Sequence, residues 1–152
     1  MGTRCVTLVR QTNHGFGGDR EEELFRFYRH WDGYPDGHGY QMALALSAMQ
    51  ERGGDFNNRN WAQHALAAVF SMDADLEPET SEVVHGDLDY LYVLHGEYAG
   101  CGGKESVDRL PVTIGVWRIG NDEAYGPALM KKPLFEGSPE GYVEWVEGGC
   151  ES

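Results

Sequence analysis

The sequence predicts an α+β fold: an antiparallel sheet of about four to five strands, with two main helices packed on one face and a short C-terminal helix. Strand-type segments occur in two pairs, one at the N-terminus and one in the second half of the chain. The stretches between these pairs carry apolar residues at helical spacing. The chain has 152 residues, of which 41% are hydrophobic. This length fits a single domain, 1–152, with a substantial core.

The first pair of strands is predicted to form an antiparallel hairpin. Residues Arg4–Arg10 are rich in β-formers and alternate along the chain, and Leu24–Trp31 alternates in the same way. The stretch between them, Gln11–Glu23, is polar and contains glycine, which is typical of a loop.

Two helices are predicted to follow. The first covers about Gly39–Arg52, because Met42, Leu46 and Met49 recur at the spacing of one helix face. The second begins near residue 58 or 59 and ends at Met72.

The second half of the chain is predicted to hold the remaining strands and the last helix. An acidic connector, Asp73–Glu82, precedes a strand at Asp89–His95. A glycine-containing loop, Glu97–Asp108, joins this strand to its partner at Pro111–Ile119. The tripeptide Ser138-Pro139-Glu140 combines a capping serine, a proline in the first turn and an acid at the positive helix end, so a short helix is expected there.

The charge argues against a general affinity for the nucleic-acid backbone or for anionic membranes. The formal net charge is -13, and ten carboxylates but a single lysine lie between Asp73 and Asp108. Three interpretations of this acidic stretch remain open: a solvated face, a surface that docks on a basic partner, or a cation site.

The cysteines indicate a reducing compartment. Cys5, Cys101 and Cys150 are odd in number and widely spaced, which fits neither a disulfide framework nor a zinc finger. Cys5 is best interpreted as a buried strand residue. No apolar run reaches the roughly 20 residues of a membrane span, and no signal-peptide pattern opens the sequence, so a cytoplasmic protein is expected.

The densest group of chemically capable side chains lies between Arg29 and Tyr40. Two imidazoles, two carboxylates and three aromatic rings occur there on a backbone with three glycines and a proline. A loop between a strand end and a helix start can present backbone N–H groups and a guanidinium to an anion, while aromatic rings stack on a ligand. The predicted ligand-binding residues are Arg4, Arg29, His30, Trp31, Asp32, Tyr34, Asp36 and His38. In this hypothesis His30 and Arg29 contact negative charge and Asp32 orients His30. In the plain structural interpretation, the aromatic rings close the end of the sheet and an aspartate caps the helix.

A metal site is a second interpretation of the same histidines. His30, Asp32 and His38 have ligand-type side chains, and His85 and Asp87 could join them. None of their spacings matches a strong metal-binding signature. The sequence assigns no catalytic residue and specifies no cofactor.

Two segments resemble a family of small uncharacterised proteins found mainly in phages, prophages, plasmids and some bacteria. The similarity lies in the opening Met1-Gly2-Thr3-Arg4 and in Tyr28-Arg29-His30-Trp31-Asp32-Gly33-Tyr34-Pro35. The later Asp89-Tyr90-Leu91-Tyr92-Val93 is similar to an aromatic strand of that family. The resemblance implies a mobile-element origin and a cytoplasmic setting in the host, and it implies no activity.

Together these observations predict a non-enzymatic phage or mobile-element accessory protein. It would bind a host protein or a small anionic ligand, such as a nucleotide, through the loop and the acidic surface. By analogy, small acidic phage proteins occupy host machinery, defence systems included. The alternatives are a small metal-dependent hydrolase or nuclease using His30, Asp32 and His38, and a structural or regulatory oligomer. The sequence specifies neither the partner nor the oligomeric state.

Overall fold

The computed structural model describes residues 3–15, 18–51, 61–72, 76–98 and 112–150. Within them six strands form one sheet: β1 (Cys5–Gly15), β2 (Gly18–Arg29), β3 (Glu77–Glu79), β4 (Tyr90–Tyr98), β5 (Thr113–Arg118) and β6 (Phe135–Gly137). The helices are α1 (Tyr40–Glu51), α2 (Trp61–Met72), α3 (Tyr125–Leu129) and α4 (Pro139–Glu147), and a π-helical turn, Pro35–Gly39, precedes α1.

The fold is α+β as expected, but the prediction of a purely antiparallel sheet with four to five strands is wrong. The six strands lie in the order β3-β2-β1-β4-β5-β6, and β1 runs parallel to β4 while every other neighbouring pair is antiparallel. The sheet is therefore mixed. The predicted pairing of β1 with β2 and of β4 with β5 is confirmed.

The parallel pair arises from the path of residues 80–89. β3 pairs with β2, and the chain then returns to the end of the sheet where β1 begins, so that Tyr90 lies beside Cys5. The amide of Asp89 donates to the carbonyl of Arg4, and the Arg4 amide donates to the Asp89 carboxylate at 3.1 Å. These bonds start β4 at the same end as β1, which makes the two strands parallel.

The first hairpin is longer than predicted. Most of the stretch assigned to a loop, Gln11–Glu23, belongs to β1 and β2, which are only two residues apart in the sequence. The register shifts between Val9 and Arg10, and polar partners such as Arg10 and Glu23 pair beyond this irregularity. β4 also pairs with β1 as far as Asn13. The far half of β1 is therefore held by backbone hydrogen bonds to both neighbours, and its polar sequence shows no apolar alternation from which a strand could be predicted.

The sheet carries a core on both faces, whereas helices were expected on one face only. Buried residues of α1, α2 and α4, such as Leu46, Val69 and Tyr142, cover one face. The opposite face buries Leu8 and Trp117 together with residues of α3. The short elements β3, α3 and β6 were not predicted, because three to five residues carry too little periodicity.

The helix predictions hold in outline. α1 buries Met42 and Leu46 on its inner side, as the spacing predicts. α4 begins as expected, since the Ser138 hydroxyl accepts a hydrogen bond from the amide of Gly141 at 3.0 Å. The acidic connector contains β3, and residues 73–75 and 99–111, which include most of the predicted loop Glu97–Asp108 and Cys101, lie outside the described residues.

Candidate functional site

The motif His30–Pro35 leaves the end of β2 and enters the π-helical turn before α1. Backbone hydrogen bonds hold it: the amide of Gly33 donates to the Thr3 carbonyl at 2.9 Å, and those of Gly37 and Gly39 donate to the Tyr34 carbonyl. We call residues 30–39 the motif loop. Its conformation is fixed by the sheet on one side and by its own turn on the other.

Two buried tyrosines support the motif loop from beneath. The hydroxyl of Tyr92 donates to the Gly33 carbonyl, and that of Tyr142 donates to the Pro35 carbonyl, each at 2.8 Å. Both rings are fully buried, and burial raises the pKa of each phenol. The hydroxyls therefore stay protonated and act as permanent donors to the loop.

Asp32 has a left-handed backbone conformation, with φ at 55°. Aspartate tolerates this region better than most residues, but a non-glycine residue there carries strain. The carbonyl of Asp32 accepts a hydrogen bond from the His38 amide at 2.9 Å. This sharp turn places the side chains of Trp31 and Tyr34 on the outside of the loop.

Trp31 and Tyr34 are the exposed aromatic residues of the motif loop. The exposed fractions are 52% for Trp31 and 47% for Tyr34. Tyr34 also lines a surface groove of about 520 Å³, together with Arg29, Asp32, Asp36 and Gln41. We call this the acidic groove, because it has two carboxylates and a single guanidinium.

The positively charged side chains predicted at the site already contact other groups of the protein. The Arg29 side chain, only 15% exposed, donates from Nε to the Trp31 carbonyl and has one guanidinium nitrogen 4.0 Å from the Asp32 carboxylate. Nδ1 of His30 is hydrogen-bonded to the Tyr28 hydroxyl at 3.0 Å, and its ring packs edge-on against Trp31. The expected orienting contact between Asp32 and His30 is not among the contacts that the structure shows.

The structure places His38 in the core and not in the groove lining. Its ring is fully buried between Phe27 and Tyr92, and Nε2 is hydrogen-bonded to the Thr7 hydroxyl at 3.1 Å. Burial, with a smaller effect of the nearby Arg29 charge, lowers the pKa of His38 to about 3. This histidine is therefore a neutral packing residue at physiological pH.

The burial of His38 predicts a loss of stability in mild acid. An unfolded histidine has a pKa near 6.5, so between about pH 6.5 and pH 3 the unfolded chain binds a proton that the folded protein does not. As the pH falls through this range, the free energy of unfolding should decrease by about 1.4 kcal/mol per pH unit. His38 should account for a loss of about 2 kcal/mol between pH 7 and pH 5. Urea unfolding at these pH values compares the wild type with His38→Gln, with His95→Gln as the control. An equal acid loss in wild type and His38→Gln would contradict the assignment.

Arg4 lies beside Gly33 of the motif loop but does not line the acidic groove. Its guanidinium contacts the carboxylate of Asp87 at 3.3 Å, and its backbone bonds to Asp89. Some carboxylates of the acidic stretch thus form contacts with other side chains of the same chain. Glu79 belongs to the same stretch, and its carboxylate contacts Nε2 of His85 at 2.6 Å.

The metal interpretation finds no support in the described ranges. Nowhere in them do three or more histidine, cysteine, aspartate or glutamate side chains meet in a way that could hold a metal ion. The hydrogen-bond partners of His30, His38 and His85 are the side chains of Tyr28, Thr7 and Glu79, none of which makes a shared ligand set, although the Tyr28 ring also stacks on His85. Cys5 is fully buried, as predicted, and its burial raises the pKa of the thiol far above its usual range.

Sequence reasoning missed several residues near the motif loop. Gln41 and Met72 line the acidic groove from α1 and α2. A second groove of about 410 Å³ lies against Tyr34 and is lined by Tyr90 and Arg118. No short-range pattern connects Arg118 with the motif, because only the mixed sheet brings β5 close to it.

Comparison of the chain with protein-family models, with curated proteins and with solved structures finds no match. None of the helices in the described ranges is both long and apolar enough to span a membrane.

Proposed function

We propose that this chain is a non-enzymatic binding module that recognises a host protein through the motif loop. The resemblance of its N-terminal segments to small phage and plasmid proteins supports the further proposal that it is an accessory protein of a mobile element that acts in the host cytoplasm. The protein would then act by occupying a surface of its partner.

One observation carries this proposal: two large aromatic side chains, Trp31 and Tyr34, are half-exposed on a loop whose backbone is bonded from several sides. Tryptophan and tyrosine are enriched among the residues that dominate protein interfaces. A loop that is already ordered loses little conformational entropy on binding, so more of the contact energy appears as affinity.

The charges of the site favour a protein over a small anionic ligand. Arg29 and His30 are engaged with other groups of the chain, and His38 is buried. The amides of Gly37 and Gly39 are bonded to a carbonyl, so they offer no free donors for a phosphate. The accessible charges are those of Asp32, whose side chain is 75% exposed, and of Asp36. A partner with basic side chains around an apolar recess complements this surface.

The experiment that tests the proposal is a quantitative pull-down from host lysate, followed by affinity measurement with the captured protein. Trp31→Ala and Tyr34→Ala should each weaken binding at least 30-fold, which corresponds to the loss of about 2 kcal/mol expected for a central aromatic residue. Thermal unfolding of the variants should stay close to that of wild type, because both side chains lie at the surface.

Met130→Ala is the matched control. Met130 is 88% exposed and lies outside the motif loop, so this variant also removes an exposed apolar side chain. Its affinity should equal that of wild type. A folded Trp31→Ala/Tyr34→Ala double variant that retains full affinity would refute the proposal.

A further inference from the structure

Whereas the acidic groove has one guanidinium and two carboxylates, the second groove that Tyr34 lines has one guanidinium and one carboxylate, those of Arg118 and Asp89. Its lining includes Thr3, Tyr90 and Gly120, and its exposed cation is Arg118. We call it the Arg118 groove. Tyr34 lines both grooves, and its ring lies 6.4 Å from the ring of Tyr90, which lines the Arg118 groove.

Arg118 is placed to receive a carboxylate. Its guanidinium lies over the Tyr90 ring at 5.9 Å from the centroid, and it forms no ion pair within the part of the chain that the structure describes. Stacking on an aromatic face leaves the N–H groups at the edge of a guanidinium available to an anion in the same plane. The carboxylate that also lines this groove, Asp89, already accepts a hydrogen bond from the Arg4 amide.

We infer that the partner presents a polypeptide segment that crosses Tyr34, with a basic side chain in the acidic groove and an acidic side chain on Arg118. This inference rests on the proposed function and adds the chemistry of the partner. Charge complementarity carries it: Asp32 and Asp36 line one of the two grooves that share Tyr34, and Arg118 lines the other, whose carboxylate, Asp89, accepts a hydrogen bond from the Arg4 amide. A segment with opposite charges at its two ends fits in one direction only.

A nucleic acid does not fit the same two grooves. Its regularly spaced phosphates would place negative charge beside Asp32 and Asp36, and the whole chain has a formal net charge of -13. A polypeptide can alternate the sign of its charge over a few residues.

Photo-crosslinking locates the segment. Benzoylphenylalanine replaces Gln41, an exposed residue of the acidic groove, or Gly120, where an added Cβ has only ordinary contact with Glu123 at 3.6 Å. In host lysate both positions should crosslink the same partner, within one short segment. Residues near the Gln41 crosslink should include lysine or arginine, and residues near the Gly120 crosslink should include aspartate or glutamate.

Charge exchange then tests the contact with the purified partner. Arg118→Glu should lower the affinity about tenfold and Arg118→Gln about threefold, as expected for a charge at the rim of an interface. Reversing the crosslinked acidic residue of the partner to lysine should restore binding to Arg118→Glu. Arg20→Glu makes the same charge change on exposed β2, away from both grooves, and should leave affinity unchanged.

The outcomes separate this inference from the proposed function. Loss of binding in Trp31→Ala with unchanged binding in Arg118→Glu and Arg118→Gln would overturn the inference and leave the proposed function standing. Crosslinks from the two positions to different proteins would also overturn it. Full affinity in the Trp31→Ala/Tyr34→Ala double variant would overturn both.

Discussion

Replacing Gly39 by alanine is expected to lower the free energy of unfolding by about 4 kcal/mol, the sum of overpacking and of a lost buried hydrogen bond. A Cβ at this position would overlap the hydroxyl of Tyr142 and lie 2.7 Å from its Cζ and 2.8 Å from Cε2 of Tyr92. The Tyr142 ring would have to move, and its bond to the Pro35 carbonyl would be lost. Urea unfolding measures the change.

Gly120→Ala is the control for this prediction. An added Cβ at the exposed Gly120 has only ordinary contact, with Glu123 at 3.6 Å, so alanine should change the free energy of unfolding by less than about 0.5 kcal/mol. If Gly39→Ala does not fold, Tyr142→Phe, which removes only the hydroxyl, should still cost about 1–2 kcal/mol. Stability of Gly39→Ala within 1 kcal/mol of wild type would contradict the packing beneath the motif loop.

Replacing Glu23 by alanine is expected to cost about 3 kcal/mol, because it leaves a buried guanidinium without its carboxylate. Nε and Nη2 of Arg26 bond to the two oxygens of Glu23 at 2.6 and 2.7 Å, and the Arg26 side chain is 8% exposed. The remaining contacts are a hydrogen bond to the Val83 carbonyl and the face of the Tyr125 ring, 5.3 Å away. The bond to Val83 ties residues 80–89 to β2.

The neighbouring Glu22 provides the matched control. It is exposed on the same strand, so Glu22→Ala should change the free energy of unfolding by less than about 0.5 kcal/mol. The double variant Glu23→Leu/Arg26→Met should be more stable than Glu23→Ala, because apolar residues replace a buried ion pair at little cost. Equal losses in Glu22→Ala and Glu23→Ala, measured by chemical denaturation, would show that the pair contributes nothing.

The sequence was sufficient to predict those parts of the fold that depend on local periodicity. The spacing of Met42 and Leu46 predicts α1, and the Ser138 cap predicts the start of α4. The parallel pairing of β1 with β4 could not be predicted, since it depends on the path of residues 80–89 and on contacts such as that between Arg26 and Val83. Those partners are 57 residues apart.

For the candidate site, the residue types between Arg29 and Tyr40 were enough to predict the position of the loop. They did not indicate which of its side chains are exposed and which are buried. Trp31 and Tyr34 lie outside, whereas His38, four residues after Tyr34, is inside because the π-helical turn directs it into the core. Alternation and helical spacing cannot anticipate such a turn. The second groove depends on Arg118, which the mixed sheet alone brings near Tyr34.

The most direct test of the central claim is ¹⁹F NMR of the chain labelled with 5-fluorotryptophan, with and without the captured host protein. A soluble paramagnetic agent should broaden the Trp31 resonance, assigned with Trp31→Phe, and should spare that of Trp117, which is 6% exposed. Adding the partner should then protect Trp31 from the agent. Protection of Trp31 in the free protein, or unchanged broadening in the complex, would contradict a binding surface built on the motif loop.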